Sequence, residues 1–415
     1  MNLRILVLGC GDVGSAVAHR LFLHGADVVI ADTDEPAHHR RGMAFTDAWF
    51  TGTATLEGVV AQSVSQTAGL LSTLADMDAI ARTSASPAEV AAVLQPDALV
   101  DARMRKRAVP DDLRALAPIV VGLGPGFAPG QNCTVAIETA WSEHLGEVLR
   151  DRPASPLAGE PRALGGAGRE RFVYARDAGV WCTAARIDDR VANGAPIGTL
   201  DGVPVFAPLS GALRGLTHDG VTVRVGQKLV EVDPSAQADN HGLGARPSVI
   251  ARGVARALGL PTGLAHAFFG FEAEFMATLD CMPMSMRRKL DRCGLKLSLE
   301  QWRTFPRPLR EVLLETPAET PHAIARLAKL LRRRAQQLGW AGLPQVRGED
   351  AIDSPHAIPP AVSGRCSLIP KSSLSLAQWT GMSPLQRYAL VKLAGHQNGR
   401  NWHGALDEFA GIGHR

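Results

Sequence analysis

The chain has no apolar run approaching the ~20 residues that a membrane-crossing helix needs, so no membrane role is expected. Cysteine is scarce: six are scattered over 415 residues, at 10, 133, 182, 281, 293 and 366, and no two form a CxxC pair. That excludes a disulfide framework. The N-terminus shows no cleavable signal pattern and enters a strand-like run directly, which makes the cytoplasm the expected location. Net charge is only +3, which singles out no partner and no nucleic acid. It is unevenly spread, with about −4 on residues 1–270 and about +7 on residues 271–415. A basic module joined to a mildly acidic one suits an acidic protein surface, although solvated helices scatter charge in the same way. No Ser-His-Asp, Cys-His or Tyr-Lys set is legible, and no catalytic residue is nominated.

What is present begins with alternation. "LRILVLG", "DVVIAD", "DALVDA" and "PIVVGLG" are buried runs too short for helices and read as strands. "GSAVAHRLFLHG" and "SPAEVAAVLQ" read as helices, the second with Ser86 as N-cap and Pro87 at the first helical position. Strand–helix alternation predicts an α/β domain over residues 1–150, with a Rossmann-like parallel sheet. A Pro/Gly/Ala-rich linker follows, and residues 169–235 carry Asp-Gly and Asn-Gly turn chemistry between short β runs. A closing helix and linker are expected over 236–264, with Gly259 and Pro261 as the stop. Residues 266–415 read as an all-α domain. In "TPHAIARLAKLLRRRAQQLG", Thr320 caps, Pro321 starts and Gly339 ends a helix striped by Ile324, Leu327, Leu331 and Leu338. "SPLQRYALVKLAG" repeats that grammar, and residues 340–378 between the two helices are expected to lack regular structure.

Gly9, Gly11 and Gly14 form G-x-G-x-x-G directly after the first strand, and Asp32 ends the second. This is the dinucleotide fingerprint: Gly9 for the turn, Gly11 for close approach of a pyrophosphate, Gly14 for helix–strand packing, Asp32 for a ribose. The expected cofactor is NAD(P) or another nucleotide. Asp12 complicates this, because a carboxylate at the helix start satisfies the field that attracts an anion. Either it caps and does nothing else, or it selects a less charged or Mg2+-bearing ligand. Arg40 and Arg41 are placed to take a 2′-phosphate in place of a ribose contact at Asp32. Cys10, inside the loop, reads as a small filler rather than a reactive thiol. A second anion nest is expected at "GLGPGFAPGQNC", where Gly124, Gly126 and Gly130 let backbone amides converge, unless it is a plain turn. In the helical region Arg287, Arg288, Lys289 and Arg292 form a candidate partner-binding cluster. Cys281 and Cys293, twelve apart, make a poor metal pair, and Met282, Met284 and Met286 read as core.

"GCGDVGSAVAHRL", "RGMAFTDAWFTG" and "VVGLGPGFAPGQNCTVAIET" resemble the YqeB-type proteins of selenium-dependent molybdenum hydroxylase systems, distant relatives of the XdhC/CoxF maturation factors. The resemblance covers residues 1 to about 260. Those proteins tend to have Gly-Ala-Gly-Asp-Leu-Ala at the loop, so it implies that Asp12 is a family feature, while Gly14 restores a third glycine. The segment from Arg190 to Pro234 also looks like half of a biotinyl/lipoyl-type barrel. Its hairpin tip is Asp201-Gly202 and Lys228 lies in a later strand, so no covalent biotin or lipoate is expected. The helical end is similar to the conserved nitrate reductase-associated proteins over about 268–410. Cys281-Met282-Pro283-Met284, Arg287, Lys289, Leu290, Gly294, Trp302 and the Ser-Pro-Leu-Gln-Arg-Tyr-Ala-Leu run carry that match. Both resemblances imply biogenesis of a molybdenum enzyme, with nitrate reductase as partner and a nucleotide or molybdopterin nucleotide as ligand. The alternatives are an NAD(P)-dependent oxidoreductase acting on a small molecule and a non-catalytic interaction protein.

Overall fold

In the computed structural model the described residues are 3–411, apart from 65–68, 72–73, 75–77, 106–107, 158–160, 265–266, 346–353, 369–372 and 396–398. The chain divides into two compact units, Met1–Thr262 and Gly263–Arg415.

The first unit is built on a nine-stranded sheet. Its strands are β1 (Arg4–Leu8), β2 (Asp27–Ala31), β3 (Thr53–Leu56), β4 (Val59–Ser63), β5 (Ile80–Thr83), β6 (Ala98–Asp101), β7 (Ile119–Leu123), β8 (Val135–Ile137) and β9 (Val148–Leu149). They lie in the order β3-β4-β5-β2-β1-β6-β7-β8-β9. The centre is parallel, and antiparallel β3 and β9 close the two edges. In β1, Ile5 and Val7 point to one face and Leu6 and Leu8 to the other, and all four are buried. Such a strand requires cover on both sides, which is why it reads as an unbroken apolar run. Leu6, Leu8, Val29, Leu99 and Ala136 share one core with Val90 and Leu94 of the helix Pro87–Leu94. That helix has the expected cap: Ser86 accepts from the Glu89 N–H while Glu89 returns a bond to the Ser86 N–H. The helix α1 (Asp12–Leu23) packs against β1, β2 and the helix Ala245–Ala257. From β1 the chain goes to β2 on one side, and β6 pairs on the other, so β1 ends at a topological switch point.

Residues 172–233 form eight short strands: β10 (Phe172–Tyr174), β11 (Gly179–Cys182), β12 (Arg190–Val191), β13 (Pro196–Leu200), β14 (Val203–Phe206), β15 (Gly211–Leu216), β16 (Thr222–Val223) and β17 (Lys228–Asp233). They pair as two four-stranded sheets, β10-β17-β15-β12 and β14-β13-β11-β16. Trp181, Leu213, Leu216, Val223, Val230 and Val232 fill the shared core. The β13–β14 hairpin turns at Asp201-Gly202, both at positive φ, as a tight hairpin of right-handed twist requires. Lys228 lies with its Nζ 3.8 Å from the Phe172 ring centroid.

The second unit is helical. Its helices run from Met284–Arg292 and Leu299–Thr304 through Arg307–Glu315 and Pro321–Gln337 to Pro360–Cys366, Leu376–Gly381, Pro384–Ala394 and Gly399–Ala410. Trp379, Trp402, Tyr388, Leu390 and Leu406 centre one core, and Met284 packs with them. Met282 and Met286 are buried as well. The expected caps form at Thr320 and Ser383. The expectation of an irregular stretch over 340–378 is corrected by the helix Pro360–Cys366, whose Val362 and Cys366 reach the core one turn apart. Proline at its first position starts this helix, though in sequence it reads as a breaker. Leu376–Gly381 is a second helix that begins inside the stretch, and residues 346–353 and 369–372 lie outside the description. Among the described residues no helix is long and apolar enough to cross a membrane.

Candidate functional site

The glycine loop leaves β1 at the switch point, and each glycine there has a steric reason to be one. Gly9 sits at φ +100°, and a Cβ on it would stand 2.9 Å from the Ala102 carbonyl oxygen. A Cβ on Gly14 would overlap the carbonyl oxygen of Gly9, so strand and helix meet only with hydrogen at this position. Gly11 has ordinary φ, but its Cβ would lie 2.7 Å from Cε1 of His38. The close approach that this glycine offers to a pyrophosphate is therefore made here by an imidazole.

The loop amides are already donating. The Cys10 N–H goes to Asp32 Oδ2 at 2.7 Å, the Asp12 N–H to His38 Nε2 at 2.9 Å and the Val13 N–H to Asp12 Oδ1 at 3.0 Å. Asp32 thus braces the loop across the end of β2. His38 must be neutral at Nε2 to accept. Burial pushes its pKa below the ordinary value, and Asp12 opposes this only in part. Beneath the loop the backbone is fixed by Ser15 Oγ and Thr46 Oγ1, which both donate to the Cys10 carbonyl. Cys10 is fully buried, and burial followed by the charge of Asp32 drives its thiol well above the usual range. It is a filler.

Asp12 does not face an incoming anion unneutralised. Its Oδ2 accepts from Arg40 Nη1 at 3.0 Å. Burial would raise its pKa, but Arg40 and then His38 outweigh that and hold it far below the ordinary carboxylate range. The same guanidinium grips Glu231 of β17, Nε to Oε2 at 2.7 Å and Nη2 to Oε1 at 3.1 Å. Glu231 is fully buried and also receives Arg171 at 3.1 Å and stands 3.3 Å from His39. Burial opposes its charge, yet His39 and Arg40 prevail and its pKa falls far below normal. Burial takes the neighbouring His39 down to about 3, the nearby Glu231 carboxylate only partly resisting. A chain of charges therefore ties the glycine loop to the β-rich segment. Arg41 is spent on Asp47 and the Leu216 carbonyl, both at 2.7 Å.

The second glycine stretch follows β7, on the same edge of the sheet. Gly124, Gly126 and Gly130 all have positive φ. Several amides of the stretch are already used: Gly124 to Ile137 O, Gly130 to Cys133 O and Ala128 to Asn132 Oδ1. Asn132 also donates to Gly126 O, so its side chain fills the bend. Beside it Arg246, in the first turn of the helix Ala245–Ala257, sends Nε and Nη2 to the Thr139 carbonyl at 2.9 and 2.6 Å.

In the helical unit the basic cluster splits. Arg287 and Arg292 are exposed, and Arg288 is half-buried. Arg292 donates to Glu319 O at 3.0 Å. Lys289 turns inward and donates to the carbonyls of Leu313, Leu314 and Thr316 at 3.0, 2.6 and 2.6 Å, capping the end of the helix Arg307–Glu315. Burial lowers its pKa to about 8. Cys293 is buried, with Sγ 3.6 Å from Ile324 O, and burial raises its thiol to about 11, whereas Cys281 is half-buried. Among the described residues no group of three or more His, Cys, Asp and Glu is gathered to hold a metal.

Sequence reasoning missed His38 as the occupant of the loop, Glu231 as its remote anchor, and Arg246. The run His38-His39-Arg40-Arg41 just beyond Asp32 was a signal for the first. A glutamate inside the apolar strand "KLVEVD" was a signal for the second, since a lone buried acid demands cations.

Residues 268–409 match the family described as conserved nitrate reductase-associated protein. Over 256 residues, 61% of this chain, the sequence is 32% identical to the "Uncharacterized protein YqeB" of Escherichia coli (strain K12). The match takes in 47% of that protein, so it spans about half the length of this curated relative. No solved structure matches the chain significantly. The chain is thus similar to two separate groups: its first part to YqeB, its helical part to the nitrate reductase-associated proteins.

Proposed function

We propose that this chain is an accessory factor for a molybdenum enzyme of the nitrate reductase type. The observation that carries the proposal is the match of residues 268–409 to the nitrate reductase-associated family, joined in one chain to a YqeB-like unit. The helical unit recognises the enzyme, with Arg287, Arg288 and Arg292 as its basic face. The sheet unit is a Rossmann-like domain that binds a nucleotide or molybdopterin nucleotide at the carboxyl end of β1. Gly11 and the amides at the start of α1 hold the anionic part once His38 has moved aside, and Arg40 keeps Asp12 neutralised meanwhile. Residues 172–233 serve as a barrel-like scaffold of the biotinyl/lipoyl kind without a covalent cofactor.

The filling of the loop by His38 favours one second reading, a pure interaction protein whose glycine loop is only a packing device. Deleting the gene and measuring molybdenum in the cell's nitrate reductase tests the main proposal. The expected result is reductase polypeptide with depleted molybdenum. Unchanged molybdenum loading would refute the accessory role. Titration of NAD+ into the purified chain then separates the ligand-binding reading from the interaction-only one.

A further inference from the structure

Arginines along the carboxyl edge of the sheet are mostly neutralised. Arg40 has Asp12 and Glu231, Arg41 has Asp47, and Arg103 has Asp101. Arg246 differs. It is half-buried, and among the described residues it forms no ion pair; two of its nitrogens share one neutral acceptor, the Thr139 carbonyl. Asp12 and Glu138 reach this guanidinium only through their charge and neither bonds to it, and holding it partly out of water without a direct ion pair is costly. The fold nevertheless sets it firmly. Arg246 lies in the first turn of a thirteen-residue helix packed on α1, and the residue it grips adjoins the second glycine stretch, where a Cβ on Gly124 would stand 2.5 Å from Thr139 Oγ1. Burial depresses the guanidinium's pKa, and the charge next to oppose this is that of Asp12.

We infer that Arg246 is a ligand-binding side chain that takes a doubly anionic group, the diphosphate of a nucleotide, between the two glycine stretches. The inference rests on the nucleotide-binding reading of the same site. Thr139 presets the guanidinium through Nε and Nη2, and its remaining hydrogen-bonding capacity supplies charge-assisted donors to phosphoryl oxygens. Asp12 attracts Arg246 through its charge, but its bonded partner is Arg40. The arrangement selects for charge in the bridging group of the ligand and leaves the nucleoside unread.

The test uses the full chain and three probes: NAD+, inorganic pyrophosphate and adenosine. Arg246→Gln is expected to weaken NAD+ and pyrophosphate roughly tenfold or more, since a hydrogen-bonded charge is lost, and to leave adenosine unchanged. Arg246→Lys keeps the charge without the planar fork and is expected to fall between. Unaltered NAD+ and pyrophosphate affinity in a Gln variant that melts like the wild type overturns the inference and leaves the site reading standing. If the Gln variant fails to fold, wild-type pyrophosphate affinity in the Lys variant overturns it instead. If the wild type binds neither anionic probe, or Gly11→Val binds them normally, both the inference and the reading it rests on fall.

Discussion

On the proposed nucleotide-binding reading, removing the His38 ring should tighten ligand binding, because the ring lies over the glycine and the helix-start amide that would meet the anionic guest. The Asp12 N–H, first in α1, is given to His38 Nε2 at 2.9 Å, and the ring lies within van der Waals reach of Gly11. A guest must break that hydrogen bond and turn the ring out before it meets the helix. Neutral hydrogen bonds are worth about 1 kcal/mol net, so the closed state lowers apparent affinity by roughly fivefold. His38→Ala abolishes the competition, and NAD+ titrated calorimetrically into this variant should bind roughly five times more tightly than into the wild type. The pH dependence gives an independent check. Burial keeps the imidazole neutral near neutrality, and protonation removes the lone pair that accepts from Asp12. Wild-type affinity should therefore be flat above about pH 6.5 and rise as pH falls below it, toward the value of the alanine variant, whose affinity stays flat. NAD+ suits the measurement because its pyrophosphate diester keeps a constant charge over that range. Equal affinity of the two proteins at every pH would refute the idea that His38 guards the loop.

Two further outcomes follow from the same geometry. Gly14→Ala drives a methyl group into the backbone carbonyl of Gly9 and should cost about 3 kcal/mol or more in urea unfolding, whereas Gly11→Ala meets only a movable ring and should cost well under half of that; equal losses would contradict the assignment. Acid should unfold the first unit in two stages. His39 has its folded pKa lowered to about 3 against an unfolded value near 6.5, so its contribution is complete above about 6.5 and is lost as pH falls, about 2 kcal/mol by pH 5. Glu231 and Asp12, also depressed, contribute fully above about 4.3 and are lost below it. Melting temperature should decline from about pH 6.5, and His39→Asn should make that decline shallower, leaving the part due to His38, whose pKa burial also lowers. A wild-type profile flat down to pH 5 would contradict the buried neutral histidine.

Much of the framework was legible because it is local. Buried parallel strands such as Arg4–Leu8 advertise themselves as short apolar runs, and the caps at Ser86, Thr320 and Ser383 are written within three residues of chain. The helix Pro360–Cys366 was not legible, because only two of its positions, Val362 and Cys366, enter the core and prolines surround them. The glycines were found as glycines, but the sequence could not say what approaches them. A Cβ-free position looks the same whether a phosphate or an imidazole lies over it. His38 comes from 27 residues beyond Gly11, and Glu231 from 191 beyond Arg40, and such pairings exist only in the folded chain. Lys289 was misleading for a related reason. In the string Arg287-Arg288-Lys289 three cations look alike, yet only the lysine turns toward the carbonyls of Leu313, Leu314 and Thr316.

The charge chain through Arg40 bears on how the first unit works as one piece. Asp12 at the start of α1 and Glu231 in β17 share a single guanidinium, and Glu231 in turn holds Arg171 while His39 stands 3.3 Å away. In a buried setting such pairs are weakly stabilising when whole and strongly destabilising when one member is removed, by about 3–5 kcal/mol. A nucleotide arriving at the loop therefore cannot take Arg40 for itself without leaving Glu231 short of a partner. It must be met by a cation outside the chain of charges. Arg246, hydrogen-bonded only to a neutral carbonyl, is such a cation. On the proposed reading, the internal salt-bridge network and the arginine that forms no ion pair with it have complementary roles: one keeps the loop closed and neutral when empty, the other supplies the positive charge when it opens. Glu231→Gln distinguishes the two, since it should destabilise the fold in urea without weakening pyrophosphate binding by the molecules that remain folded. A marked gain in pyrophosphate affinity of the folded variant would show that Arg40, once released by Glu231, is itself the anion receptor.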